Sequence, residues 1–183
     1  MIDDKEQNRF KENGLFSVEN DTRIKIIKWE SGKDYDFLEA EHNGYSRLKD
    51  PVIHRRSILF DKEKKVIIIR DKLLGKGTHR CISCFNTPPA IECEIEPGLG
   101  SVVILKTGIP FARILTEMAD NGAGIDIGES FYSESYGRKA DSRVLKFAYQ
   151  GKLPAVFTYM ISKAGSGLSK TDLDSYIDKF KGI

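Results

Sequence analysis

Short runs of β-branched and aromatic residues recur along most of this chain, several of them alternating with polar positions. Alternation with period two marks half-buried strands. It places strands at 22–30, 35–42, 52–60, 65–71, 78–85, 90–96, 101–106, 111–118, 125–130, 143–150 and 154–162. Arg143, Leu145, Phe147 and Tyr149 alternate with Val144, Lys146, Ala148 and Gln150, so most of the larger side chains share one face. The breaks carry turn chemistry: Ser31-Gly32-Lys33-Asp34, Gly75-Lys76-Gly77, Pro97-Gly98-Leu99-Gly100, Asp120-Asn121-Gly122 and Gly151-Lys152. The runs 52–60 (VIHRRSILF) and 65–71 (KVIIIRD) flank Asp61-Lys62-Glu63-Lys64 and read as a hairpin. Many short strands without βαβ alternation predict an all-β fold, a large antiparallel β-sandwich.

The period changes only at the end. Leu173, Tyr176, Ile177 and Phe180 form one apolar stripe at helical spacing. Ser169 or Thr171 can cap this short C-terminal helix, expected over about 170–181. Asp172 and Asp174 suit its start, Lys179 and Lys181 its end. The preceding KAGSGLS (163–169) is a flexible joint. No internal repeat or domain boundary stands out, so residues 1–183 are read as a single domain, in which folding buries roughly 70% of the unfolded chain's surface.

Composition narrows function mainly by exclusion. A net charge of +2, from 29 basic and 27 acidic residues, gives no global reason to expect nucleic acid or an anionic membrane as partner. The polar opening MIDDKEQNRFKENG contains no secretory apolar stretch, and no apolar run is long enough to span a membrane. Three cysteines exclude a complete disulfide framework. Cys81 and Cys84 form C-x-x-C, but on a strand and without a second pair, so they read as structural. Walker A, G-x-G-x-x-G, H-E-x-x-H and G-x-S-x-G are absent. His42, His54 and His79 remain as acid–base candidates near neutral pH, with Tyr45, Tyr132 and Tyr136 as possible phenolic partners. His42 is favoured, at a strand end beside Gly44 and close to Tyr45 and Arg47. His54 and Arg56 share one strand face, which is either a solvated surface or a basic stripe for carboxylate or sulfate groups.

The ordered set IDDKEQ (2–7), EHNGYSRL (41–48), VIHRRSILF (52–60), LLGKGTHR (73–80), FYSESYGRKADSRVLKF (131–147) and LPAVFTYMI (153–161) covers nearly the whole chain. It resembles the C-terminal β-sheet domain of the heparinase II/III-like family, whose members are polysaccharide lyases acting on uronic-acid-containing glycans. The resemblance implies a supersandwich-like fold preceded by an α/α toroid domain, the two together enclosing the substrate cleft. It implies β-elimination: a base removes the proton beside the uronate carboxylate, polar groups or a cation neutralise that carboxylate, and an acid assists the leaving oxygen. A Tyr–His pair commonly does this proton work, which makes His42 and Tyr45 the catalytic candidates here. Arg47, His54 and Arg56 are the substrate-binding candidates.

Two departures shape the expectation. IDDKEQN resembles the strand that follows a His-Asn-Thr element, so the toroid and the His-rich start of the sheet domain are expected before residue 1. Relatives often carry Phe-His after the GTHR-like segment, whereas this chain has Phe85-Asn86. An amide oxygen is a weak zinc ligand, so the relatives' metal site is expected to be incomplete and no cofactor or metal ligand is assigned. The chain is expected to be inactive alone, lining or supporting the cleft, with acidic polysaccharide reached through the parent protein. A periplasmic or extracellular location is implied by the resemblance alone. The alternatives are a free-standing carbohydrate-binding or structural β-sandwich without catalysis, and a small independent enzyme using His42 and Tyr45.

Overall fold

The computed structural model describes residues 1–14, 17–98, 100–118 and 123–182. The strands in chain order are β1 (Ile24–Ser31), β2 (Tyr35–Tyr45), β3 (Val52–Asp61), β4 (Val66–Gly75), β5 (Thr78–Asn86), β6 (Ile91–Glu96), β7 (Ser101–Lys106), β8 (Ile109–Met118), β9 (Ala123–Tyr132), β10 (Ala140–Lys152) and β11 (Ala155–Lys163), followed by the helix α1 (Lys170–Gly182). Every strand expected from alternation is present, with ends displaced by a few residues. The expected turn at Asp120-Asn121-Gly122, Leu99 of the Pro97–Gly100 turn and the side chain of Lys181 lie outside the described residues.

Two antiparallel sheets form the sandwich. One has eight strands in the order β1-β2-β3-β4-β11-β8-β7-β6, the other three in the order β5-β10-β9. β1 to β4, β6 to β8, and β9 with β10 pair with their neighbours in sequence, but β11 returns across the chain to sit between β4 and β8. Leu145, Phe147 and Tyr149 of β10 face the large sheet and bury against Val52, Leu73, Phe157 and Tyr159. Phe85, Phe147 and Tyr159 meet edge-on with centroids 5.1–5.5 Å apart, a geometry favoured by aromatic quadrupoles.

Period two splits β3 cleanly. Val52 faces this inter-sheet core, and His54 and Arg56 share its parity, while Leu59 belongs to a second cluster on the opposite face. That second cluster is covered by α1, whose Leu173, Tyr176 and Phe180 bury on Phe37, Val66, Ile68 and Met160. Asp172 holds the start of the helix, accepting hydrogen bonds from the Ser169 amide and hydroxyl, both at 3.0 Å. Ser169 is thus the capping residue. Replacing Asp172 with Ala should cost about 1 kcal/mol, read as a lower urea midpoint with accelerated amide exchange confined to the first turn of α1.

The small sheet covers only part of the large one. Ile24, Ile26 and Trp29 of β1 lie in register with His42, Ala40 and Leu38, hence on the inner face, yet Trp29 remains 67% exposed. A bulge between Ile26 and Lys28 restores this register. Residues 1–3 form a short antiparallel ladder on the outer edge of β5: the Met1 ammonium donates to Ile82 O and the Ile82 amide to Met1 O, at 2.8 and 3.0 Å.

Candidate functional site

Where the uncovered part of the inner face meets the small sheet, the strands bring four polar side chains into one row. Register places His42 opposite His54, and Arg56 opposite Asp71. Asp71 is 2% exposed in the middle of β4. Such a carboxylate persists only with full compensation. Arg56 supplies it with a two-pronged contact, Nε to Oδ1 at 2.7 Å and Nη2 to Oδ2 at 2.8 Å. His54 Nε2 lies 2.7 Å from the same Oδ1, and His54 Nδ1 lies 3.0 Å from His42 Nε2. Burial opposes ionisation of Asp71, but the hydrogen bonds from Arg56 and His54 outweigh it and hold the carboxyl down at about 2.

These contacts fix the protons. An ionised carboxylate only accepts, so His54 Nε2 carries hydrogen and donates to Asp71. The Gly44 amide approaches His42 Nδ1 at 3.3 Å, which makes that nitrogen the acceptor. His42 Nε2 then donates to His54 Nδ1, and the relay closes with one proton on each ring. Burial first, and the nearby His54 and Arg56 second, push the His42 imidazole down to about 4. Both nitrogens of both rings are therefore engaged within the relay.

Tyr45 lies close by, its ring centroid 5.7 Å from that of His42. It is buried, and burial pushes its phenol up to about 12, so the group is a proton donor near neutral pH. The strand does not end at His42 as the sequence suggests; it continues to Tyr45 through an irregularity in its pairing with β3. Gly44 sits there because a Cβ would lie 2.6 Å from Gln7 O of the opening segment. Arg47 secures that contact, its guanidinium donating to the carbonyls of Gln7, Gly44 and Glu6. Its place is a clamp on residues 6 and 7.

Tyr45, His54, Arg56 and Asp71 line a cavity of about 380 Å³, closed on the other side by Ser83, Cys84 and Asn86 of β5 and by Glu6 and Gln7. His54 and Arg56 are therefore not on an open solvated face; they stand at the mouth of the sandwich. Arg56 keeps 44% of its side chain exposed while its partner is buried. His79 stands apart, buried between the Asp3 carboxylate at 2.7 Å and the Lys76 carbonyl at 2.9 Å. The C-x-x-C cysteines are free, Cys81 buried and Cys84 exposed, and burial pushes the Cys81 thiol up to about 12. Among the described residues no group of three or more His, Cys, Asp or Glu is placed to hold a metal ion.

Asp71 is the residue that sequence reasoning missed. A signal for it existed: a hairpin closing at Asp61 and Val66 necessarily sets Arg56 opposite Asp71.

The fold is similar to a heparan sulfate lyase from Pedobacter heparinus, with TM-score 0.64 and 16% identity over 77% of this chain and 22% of that one. It is also similar to a heparinase III gene product, with TM-score 0.65 and 14% identity over 77% and 21% of the two chains. At these identities the likeness is one of fold, and this chain spans about a fifth of the length of those structures. No curated protein sequence matches. The family described as heparinase II/III-like, C-terminal, matches residues 1–167, all of the sandwich and none of α1. On that match, the chain belongs to the heparinase II/III-like C-terminal domain family.

Proposed function

We propose that this chain is the C-terminal sandwich domain of a polysaccharide lyase-like protein, and that its cavity forms one wall of a cleft for uronic-acid-containing glycans. One observation carries the reading: a half-exposed arginine, locked in place by a buried carboxylate, at the mouth of a cavity large enough for a sugar. The Asp71 pair uses Nε and Nη2 of Arg56, leaving Nη1 to meet a substrate carboxylate, and a guanidinium already held in place gives up little freedom on binding. Neutralising that carboxylate is what β-elimination requires, since the carbanion formed beside it delocalises onto its oxygens. His54 positions the Asp71–Arg56 pair, and His42 positions His54. The phenol of Tyr45 is a donor suited to a leaving oxygen.

Among the described residues both histidines of the relay have their nitrogens engaged, so the proton acceptor is assigned to a preceding toroid domain and the start of the sheet domain. The apolar strip of Ile24, Ile26 and Trp29 offers such a domain a surface to pack against. The parent would work in a periplasmic or extracellular setting, where polymeric glycans are met.

Two measurements test this reading. Purified chain incubated with heparan sulfate or alginate should produce no rise in ultraviolet absorbance, because the conjugated double bond left by elimination does not form. A protein-dependent rise would overturn the assignment of the base. Weak binding of the same polymers should fall with added salt, and Arg56→Lys should reduce it several-fold, because an ammonium lacks the planar fork. Binding indifferent to that substitution would remove Arg56 from the site.

A further inference from the structure

The β9–β10 hairpin projects beyond the small sheet and carries FYSESYGRK (131–139). Phe131 is 62% exposed and Tyr136 fully so, while Tyr132 is 44% exposed. Three open aromatic rings in six residues are a costly arrangement unless something covers them. Lys139 Nζ lies 3.2 Å from the Phe131 centroid, so an ammonium is held over one of the rings.

The hairpin is continuous with the cavity described above. Asn86, on the rim of that cavity, has its Oδ1 3.5 Å from the Ser130 hydroxyl. Ser130 in turn lines a second cavity of about 300 Å³ with Phe131 and Arg143. From Val144, opposite Asn86, to Ala140, opposite Tyr132, β10 runs four residues, about 13 Å along the strand.

We propose that this hairpin is an outer subsite for the same glycan, holding sugar units that extend past the Arg56 cavity. It rests on the reading of that cavity as part of a glycan cleft. Tyr132, on the same face of the hairpin as Ser130, and Tyr136 stack their ring faces on the C–H faces of pyranose rings, while Arg138 takes carboxylate or sulfate groups. The acidic neighbours Glu129, Glu134 and Asp141 balance Arg138, Lys139 and Arg143 in charge. The subsite therefore acts through stacking more than through net attraction, and its contribution should be less sensitive to salt than that of the cavity.

The test compares a heparan sulfate disaccharide with a hexasaccharide by NMR titration of the intact chain, alongside Arg56→Lys and a Tyr132→Ala/Tyr136→Ala double variant. The tyrosines are exposed, so the double variant retains the fold. The double variant should bind the hexasaccharide about five- to tenfold more weakly and the disaccharide unchanged. Unchanged hexasaccharide binding in the double variant, with loss in Arg56→Lys, overturns the hairpin subsite and leaves the cavity reading standing. No binding of the hexasaccharide to the unsubstituted chain overturns the cavity reading, and the subsite with it.

Discussion

Replacing Arg56 with Ala should destabilise the domain by about 3–5 kcal/mol, although much of its side chain faces solvent. The reason lies in its partner. Asp71 is almost fully buried, and without Arg56 its carboxylate keeps only the His54 contact. Removing one member of a buried pair leaves an uncompensated charge, which costs more than the pair contributed. The reverse substitution is less damaging. In Asp71→Ala the stranded group is a half-exposed guanidinium that can turn to water, so a loss of about 2 kcal/mol is expected. Substituting both residues should then cost less than Arg56→Ala alone. Urea unfolding of the two single variants and the double variant closes the cycle; additive losses would mean that the pair is not coupled.

Acidification should have the next largest effect. An unfolded histidine takes up its proton near pH 6.5, whereas His42 in the fold does so near 4. Between those values the unfolded chain binds more protons, so stability rises with pH across this window. The contribution of neutral His42 is complete above about 6.5 and is lost as the pH falls towards 4. Protonation puts a hydrogen on Nδ1, facing the Gly44 amide, and breaks the first link of the relay. The imidazole is only half-buried, so solvent screening reduces the loss to about 1–2 kcal/mol. Unfolding free energies at pH 7 and pH 4.5 should differ by that amount, and His42→Gln should flatten the dependence.

Much of this fold is legible in the sequence because its signals are local. The KVIIIRD and VIHRRSILF runs, the turn between them and the stripe Leu173, Tyr176, Ile177 and Phe180 each carry their own period. The insertion of β11 between β4 and β8 has no such signal, since its pairing depends on residues about ninety positions away in β4. The same limit applied to the site. Parity showed that His54 and Arg56 share a face, but whether that face is solvent or sandwich mouth depends on where β5 and β10 pack. Arg47 reads in the sequence as a glycan contact because its hydrogen-bond targets, the carbonyls of residues 6 and 7, come from a segment with no regular pattern. Asp71 reads in the sequence as the polar end of an apolar run, though it organises the row.

The central claim is that Arg56, held by Asp71 and His54, presents its guanidinium to an anionic sugar in the cavity. The most direct measurement is a titration of isotopically labelled chain with a uronate-containing oligosaccharide, following the Arg56 Nε–H signal and the amides of Ser83 and Asn86. Saturable shifts at these three positions, weakened by salt, are the predicted result. Shifts absent from all three while other regions of the surface respond would contradict the account.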